Sequence, residues 1–265
     1  MIDNYRIVVV IPSGRQKYLE LLLPHILDQQ QYIDEIHFWL NTTNQEDISY
    51  IENIQKSNTN IFKIIYSKIP INGASSLYHF WYTSCDNNTI YIRLDDDVCW
   101  LSKNFIFNVV KCRIKNPDAF LVFPIIINND MNYGLTPTFG SVEYVKWFEH
   151  PYYGAQSHAL FFNWLKKQSG DDFNFGNIPV PLIRSLNINS VCWFGEDMRL
   201  VKFETDEEEH EISHTFPNKF NRPNMICGNA MCCHFGFMSQ KDYMLEKTNF
   251  YHKYKILSDR LKKSP

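Results

Sequence analysis

The chain has 265 residues, with 26 Lys and Arg against 29 Asp and Glu for a formal net charge of -3. At 45% hydrophobic and 21% charged residues, it can fold as one enzyme-sized body without disulfide staples and is too apolar for a disordered chain. The slightly acidic balance supplies no basic face of the kind nucleic acid requires, so no nucleic-acid partner is expected.

Twenty Phe, fifteen Tyr and six Trp are enough to line a ligand groove as well as a core. Seven Cys, an odd count at irregular spacings, argue against a disulfide framework and for a reducing compartment, which makes a cytoplasmic location the expectation. The longest apolar runs, 6–12 and 120–127, are strand-length, far below the roughly 20 residues of a membrane-spanning helix. No basic start of a secretory signal precedes them, so no integral membrane segment is expected.

In chain order, β-rich runs at 5–11, 35–41, 61–66, 89–94 and 119–126 alternate with helical stretches. The helix predicted over 16–30 carries Leu19, Leu22, Leu23 and Ile26 at helical spacing; others are predicted over 75–85 and 104–115. This alternation predicts parallel strands joined by right-handed crossovers. The continuous apolar run Val8-Val9-Val10-Ile11 suits a strand covered on both faces.

Beyond residue 127, Pro137, Gly140, Pro151, Gly154, Gly170, Gly176, Pro179 and Pro181 punctuate the chain. They leave a helix predicted over 156–167 and another starting near Glu196. Rings between Trp147 and Tyr153, beside Pro151 and Gly154, suit either a sugar-stacking loop or core packing. The acidic run Asp206-Glu207-Glu208-Glu209 reads as a solvated helix end or loop, because adjacent like charges repel. Lys253, Lys255, Arg260, Lys262 and Lys263 read as a solvated helix face.

The feature with the clearest chemistry is Tyr91-Ile92-Arg93-Leu94-Asp95-Asp96-Asp97, an apolar strand running into three carboxylates. Acids at the carboxyl end of a parallel strand stand where α/β sheets bind ligands, and their mutual repulsion calls for a cation. Asp95 and Asp97 can point to one side, and hard oxygen ligands favour Mg²⁺ or Mn²⁺ bridging to phosphates. Capping of a following helix would account for one Asp but not for three. Arg93 can either orient these acids or neutralise them. After the first strand, Ser13-Gly14-Arg15 has a single glycine, fewer than a triphosphate-cradling loop wants. Arg15 suits either a diphosphate contact or an ion pair.

The segment "LDDDV" resembles the DxD motif of GT-A glycosyltransferases, and "VVVIPSGR" (8–15) and "NGASSLYHFW" (72–81) resemble the opening strand and the donor-side loop of that class. The resemblance implies an α/β, Rossmann-like, mostly parallel sheet flanked by helices, as a single GT-A body. Residues 1–127 would form its nucleotide-sugar-binding half and 128–265 its acceptor-binding half. It implies a nucleotide-diphosphate-sugar donor, a glycan or other hydroxyl acceptor, and Mn²⁺ or Mg²⁺. By that likeness Asp97 contacts the metal, Asp95 the donor ribose or a metal-bound water, and Asn41 stands where the base is recognised. Pro12, Gly14, Arg15, Gly73, Ser76, Arg93 and Asp96 are the further donor-side residues.

"WFGEDMRL" (193–200) resembles the acceptor-side Glu-Asp motif of inverting members. It implies Asp197 as general base and Glu196 as a ligand of acceptor hydroxyls. His234, in "CGNAMCCHFGF" (227–237), resembles the late histidine that completes the metal shell, with His214 as rival. Cys227, Cys232, Cys233 and His234 also suggest zinc, but adjacent cysteines suit a tetrahedral site poorly, and buried thiols are the better reading. The alternatives are a retaining transferase, a metal-dependent phosphoryl-transfer enzyme and a non-catalytic carbohydrate-binding module. The first strand of a haloacid-dehalogenase-type phosphoryl-transfer enzyme would be followed by an acid, which the loop after Ile11 lacks.

Overall fold

The structure is a computed structural model that describes residues 1–129, 151–167 and 173–262. Its first half follows the predicted alternation with one unpredicted strand, β5: β1 (Arg6–Ser13), α1 (Gln16–Leu27), β2 (Glu35–Leu40), α2 (Gln45–Ser57), β3 (Phe62–Tyr66), α3 (Tyr78–Trp81), β4 (Thr89–Leu94), β5 (Val98–Leu101), α4 (Phe105–Lys115) and β6 (Val122–Ile127). There follow α5 (Pro151–Lys167), β7 (Ile178–Pro179), β8 (Ser190–Phe194), α6 (Glu208–His210), α7 (Phe216–Phe220), β9 (Met225–His234), α8 (Met238–Glu246) and α9 (Phe250–Leu261). The prediction over 75–85 shrinks to the short α3, preceded by a 3-10 turn at Gly73–Ser76. Helix α2 fills the helical slot between the second and third strands, for which no bounds were predicted, and Asn44 caps it by accepting from the amides of Glu46 and Asp47.

Among the described residues the nine strands join one sheet in the order β3-β2-β1-β4-β8-β6-β9-β5, with β7 paired to β9. Strands β3, β2, β1 and β4 are parallel neighbours, as the alternation predicted. Strand β8 then inserts antiparallel between β4 and β6, so the second half of the chain builds the middle of the same sheet. Residues Ile7–Ile11 and Ile90–Ile92 are fully buried, the expected fate of continuous apolar strands covered on both faces. The helix expected from Glu196 is instead a 3-10 turn, Gly195–Leu200. A Cβ at Gly195 would lie 2.3 Å from the Asp86 carbonyl oxygen, so packing alone demands glycine in this motif.

Three elements converge on the end of β9. The buried His158 of α5 donates through Nε2 to the Phe235 carbonyl at 2.9 Å, and its Nδ1 accepts from the Tyr254 hydroxyl of α9 at 2.6 Å. Burial lowers His158 to about 4 from an ordinary value of 6.5. Between those values the unfolded chain takes the proton first, so stability is expected to fall as pH drops from 6.5 toward 4. The interval is worth about 3 kcal/mol. Chemical-denaturant melts across that range measure it, and His158→Asn should flatten the dependence.

Candidate active site

Parallel pairing of β1 with β4 brings the loop after Ser13 and the loop after Leu94 to one edge of the sheet. There Asp95–Asp97 form a tight turn, the Val98 amide donating to the Asp95 carbonyl, before β5 runs back. The Phe235 amide donates to the Asp97 carbonyl, which sets the end of β9 beside the third acid. A cleft of about 750 Å³ opens at this edge. Pro12, Gly14, Arg15, Asn41, Gly73, Arg93, Asp95, Asp96, Asp97 and His234 all line it.

The three acids are held differently. Asp95 accepts from Arg93 Nε at 2.9 Å and Asn189 Nδ2 at 3.1 Å. Asp96 is buried and accepts from the Gly14 amide at 3.0 Å and from Arg15 Nε at 2.9 Å, with a second, shorter Arg15 contact. Asp97 Oδ2 faces Lys241 Nζ at 3.0 Å, Arg15 Nη2 at 3.2 Å and His234 Nε2 at 3.4 Å. Burial alone would raise the Asp97 carboxyl, but Arg15, His234 and Lys241 outweigh it and hold it well below the usual carboxylate range. For Asp96 burial prevails over Arg15 and raises its carboxyl. Asp97 therefore keeps its charge beside these three groups.

His234 Nδ1 lies 3.3 Å from the Asn128 carbonyl. With a divalent ion in place of the Nε2 proton shared with Asp97, donation from Nδ1 there would be the arrangement in which a backbone oxygen fixes a metal-binding tautomer. Neighbouring ligands on an octahedral ion with bonds of roughly 2.1 Å stand roughly 3 Å apart. The 3.4 Å between Asp97 Oδ2 and His234 Nε2 fits that spacing, and the oxygen and imidazole donors suit Mn²⁺ or Mg²⁺. Among the described residues no three His, Cys, Asp or Glu side chains are preassembled around one point; Arg15 and Lys241 balance the acids.

Asn41 Nδ2 donates to the Gly73 carbonyl at 2.9 Å and its Oδ1 accepts from Ser76 at 2.8 Å. Ser76 is buried behind the cleft and shapes it through Asn41. Gly73 has φ of 54°, a turn that favours glycine. Arg93 is buried and bridges Asp95 to Glu208, which also accepts from Trp81 Nε1 at 2.9 Å. Burial raises the Glu208 carboxyl, with Arg93 and Trp81 opposing.

Two expectations are corrected. Asp197 and Glu196 do not line the cleft. Leu94 pairs with Ser190 and Ile90 with Phe194, so the acids follow one end of this strand pair and Asp197 follows the other, about 13 Å of strand apart. Asp197 is instead clamped by Arg222 Nη1 and Nη2 at 2.5 and 2.9 Å. Asp197→Asn is expected to lower stability by about 1–2 kcal/mol and to leave nucleotide affinity unchanged, as denaturant melts and calorimetry would measure. Conversely, the run 206–209, read as solvated, walls the cleft together with His210, and Glu208 is buried. Like charges are tolerated there because Arg93 neutralises Glu208 and Asn187 binds Glu209.

Lys241 and Asn189 were missed. Lys241 follows "HFGF" on α8, and no spacing in the sequence links it to residue 97. His214 lies in a π turn, Glu211–Thr215, and does not line the cleft. Cys227, Cys232 and Cys233 are buried free thiols. Trp147–His150 lie outside the described residues, as do Pro137, Gly140, Gly170 and Lys263; Tyr152–Gly154 belong to α5 rather than to a loop.

Scans against protein-family models and against curated proteins return no match. Among solved structures, the chain is similar to GalNAc-T7 crystallised with UDP, GalNAc and Mn²⁺, at 12% identity and a TM-score of 0.59, covering 90% of this chain and 45% of that one. It is also similar to an apo UDP-glucose pyrophosphorylase, at 9% identity and a TM-score of 0.50, covering 94% and 98%. A mycobacterial protein matches at 12% identity and a TM-score of 0.51, covering 95% and 74%. The chain thus spans less than half of GalNAc-T7. These likenesses support the fold: a GT-A-type α/β sheet, mostly parallel and flanked by helices, as the sequence led us to expect.

Proposed function

We propose that the chain is a metal-dependent glycosyltransferase that moves a sugar from a nucleotide-diphosphate donor to a hydroxyl acceptor. The observation that carries this reading is the pairing of Asp97 with His234 at the carboxyl edge of β4, beside the β1 loop. Asp97 and His234 would hold a divalent cation, whose chemistry is to neutralise charge on the leaving diphosphate. Asn41 and Gly73 shape the pocket for the base, Asp95 faces the donor ribose, and Arg15, fixed on Asp96, lends positive charge to the phosphate side.

The acceptor hydroxyl would enter from the wall formed by residues 206–210. Its oxygen bonds the anomeric carbon, the carbon–phosphate oxygen bond breaks with the electron pair leaving on the nucleoside diphosphate, and a carboxylate takes the hydroxyl proton. Asp206, Glu207 and Glu209 are the acids on that wall besides Glu208, which Arg93 holds. With Asp197 away from the cleft, the inverting assignment loses the residue first given to it, and both stereochemical outcomes stay open to measurement.

A nucleotidyltransferase is the second reading, favoured by the likeness to UDP-glucose pyrophosphorylase. Against it, the one glycine amide of the β1 loop is already given to Asp96, leaving it unavailable to cradle a triphosphate. Incubation with a panel of UDP-, GDP- and dTDP-sugars, with Mn²⁺ or chelator, tests the assignment. Metal-dependent release of nucleoside diphosphate from one donor supports it. Formation of nucleotide sugar from nucleoside triphosphate and sugar phosphate would replace it with the second reading.

A further inference from the structure

The Asp97 carboxylate offers one oxygen to two different tasks. Lys241 Nζ stands 3.0 Å from Oδ2, the same atom that faces His234 Nε2 and that a divalent ion between these two side chains would have to touch. An ammonium and a divalent cation on a single carboxylate oxygen are like charges within roughly 4 Å of each other, a strongly repulsive arrangement even with partial screening. One of them has to give way. Arg15 Nη2 also stands 3.2 Å from Oδ2, but its hydrogen bonds to Asp96 through Nε and Nη2 tether it.

Lys241 is differently placed. Its side chain is 22% exposed, it lines the cleft, and its ammonium lies 5.9 Å above the Tyr18 ring. Burial and the nearby Asp97 push the Tyr18 phenol up, so the ring stays neutral and presents an apolar face along which a flexible lysine can slide. The anion within its reach in a loaded cleft is the donor diphosphate.

Resting on the donor-site reading above, we propose that Lys241 is an exchanging counter-ion. It neutralises Asp97 until a divalent ion arrives, and then transfers to the diphosphate that arrives with the ion. The number of ion pairs is kept through the exchange, so metal and nucleotide binding are coupled through this side chain. A charge that only stabilised the fold would weaken both ligands or neither; an exchanging one opposes the metal and favours the nucleotide.

The test is a pair of titrations on the full chain and on Lys241→Met and Lys241→Arg. Free Mn²⁺ is followed by its electron paramagnetic resonance signal, and UDP or GDP binding by calorimetry at saturating Mn²⁺. Lys241→Met is expected to tighten Mn²⁺ binding to the nucleotide-free protein roughly tenfold and to weaken the nucleotide roughly tenfold. Lys241→Arg, which keeps the charge, should stay within roughly threefold of the unaltered chain on both. Circular dichroism confirms that each variant is folded, and Lys241→Gln repeats the charge removal should the Met variant misfold. Unchanged or weaker Mn²⁺ binding in the charge-removing variants, with nucleotide still bound by the unaltered chain, overturns this inference alone. If the unaltered chain binds neither UDP nor GDP with Mn²⁺, the donor-site reading falls and this inference with it.

Discussion

Asp97→Asn is expected to raise the Kd for nucleoside diphosphate in the presence of Mn²⁺ by at least about 100-fold and to cut turnover by about 1000-fold. The substitution keeps the shape and one oxygen, so it isolates charge. Asp97 is the acid that stays ionised under Arg15, His234 and Lys241, and it is the only one of the three adjacent Asp residues within 4 Å of His234. A neutral amide there leaves the imidazole facing two cations without a counter-charge, and a divalent ion would bring a third. Calorimetric titration with Mn²⁺ and UDP or GDP reads the affinity. An affinity within threefold of the unaltered chain would remove Asp97 from the metal site.

The second large effect concerns stability as well as activity. Glu208→Ala is expected to destabilise the fold by about 3–5 kcal/mol, because it strands the fully buried Arg93 guanidinium with only Asp95 for compensation. Trp81 Nε1 loses its acceptor in the same step. Arg93 would then turn wholly onto Asp95 and shift the first acid of the turn. The double variant Arg93→Met with Glu208→Leu should recover most of the stability, since a buried ion pair exchanged for apolar groups is close to neutral, while donor turnover stays low. Denaturant melts paired with turnover assays separate the two effects. Recovery of both stability and turnover would mean that the bridge serves only packing.

Much of the cleft formed by the β1 and β4 loops was legible because it depends on local pattern. The runs at 5–11 and 89–94 are continuous apolar strands, parallel strands align their loops at one edge, and three adjacent acids there admit few readings. His234 could be connected to Asp97 only through the resemblance, and the structure places them face to face. The placement of Glu196, Asp197 and the run 206–209 was not legible, for two physical reasons. Strand β8 is antiparallel within an otherwise parallel run of neighbours, so the residues that follow it emerge at the edge opposite the acids. "GED" after a hydrophobic strand looks the same from either direction, and Gly195 is there because the Asp86 carbonyl leaves no room for a Cβ. The acidic run 206–209 was read as solvated because sequence alone does not show a counter-charge; its counter-charge, Arg93, lies 115 residues away from Glu208. Asn189 and Lys241 were hidden in the same way, as contacts across long separations between elements with no periodic signal.

The assignment of the cleft rests most directly on where a divalent ion binds. Crystals grown with MnCl₂ and UDP or GDP, with data collected at the manganese absorption edge, give that position without reference to activity. The account predicts an anomalous peak in contact with Asp97 Oδ2 and His234 Nε2, with diphosphate oxygens on its open side. Nucleotide bound in the cleft with the manganese peak elsewhere, or with no peak, would contradict it.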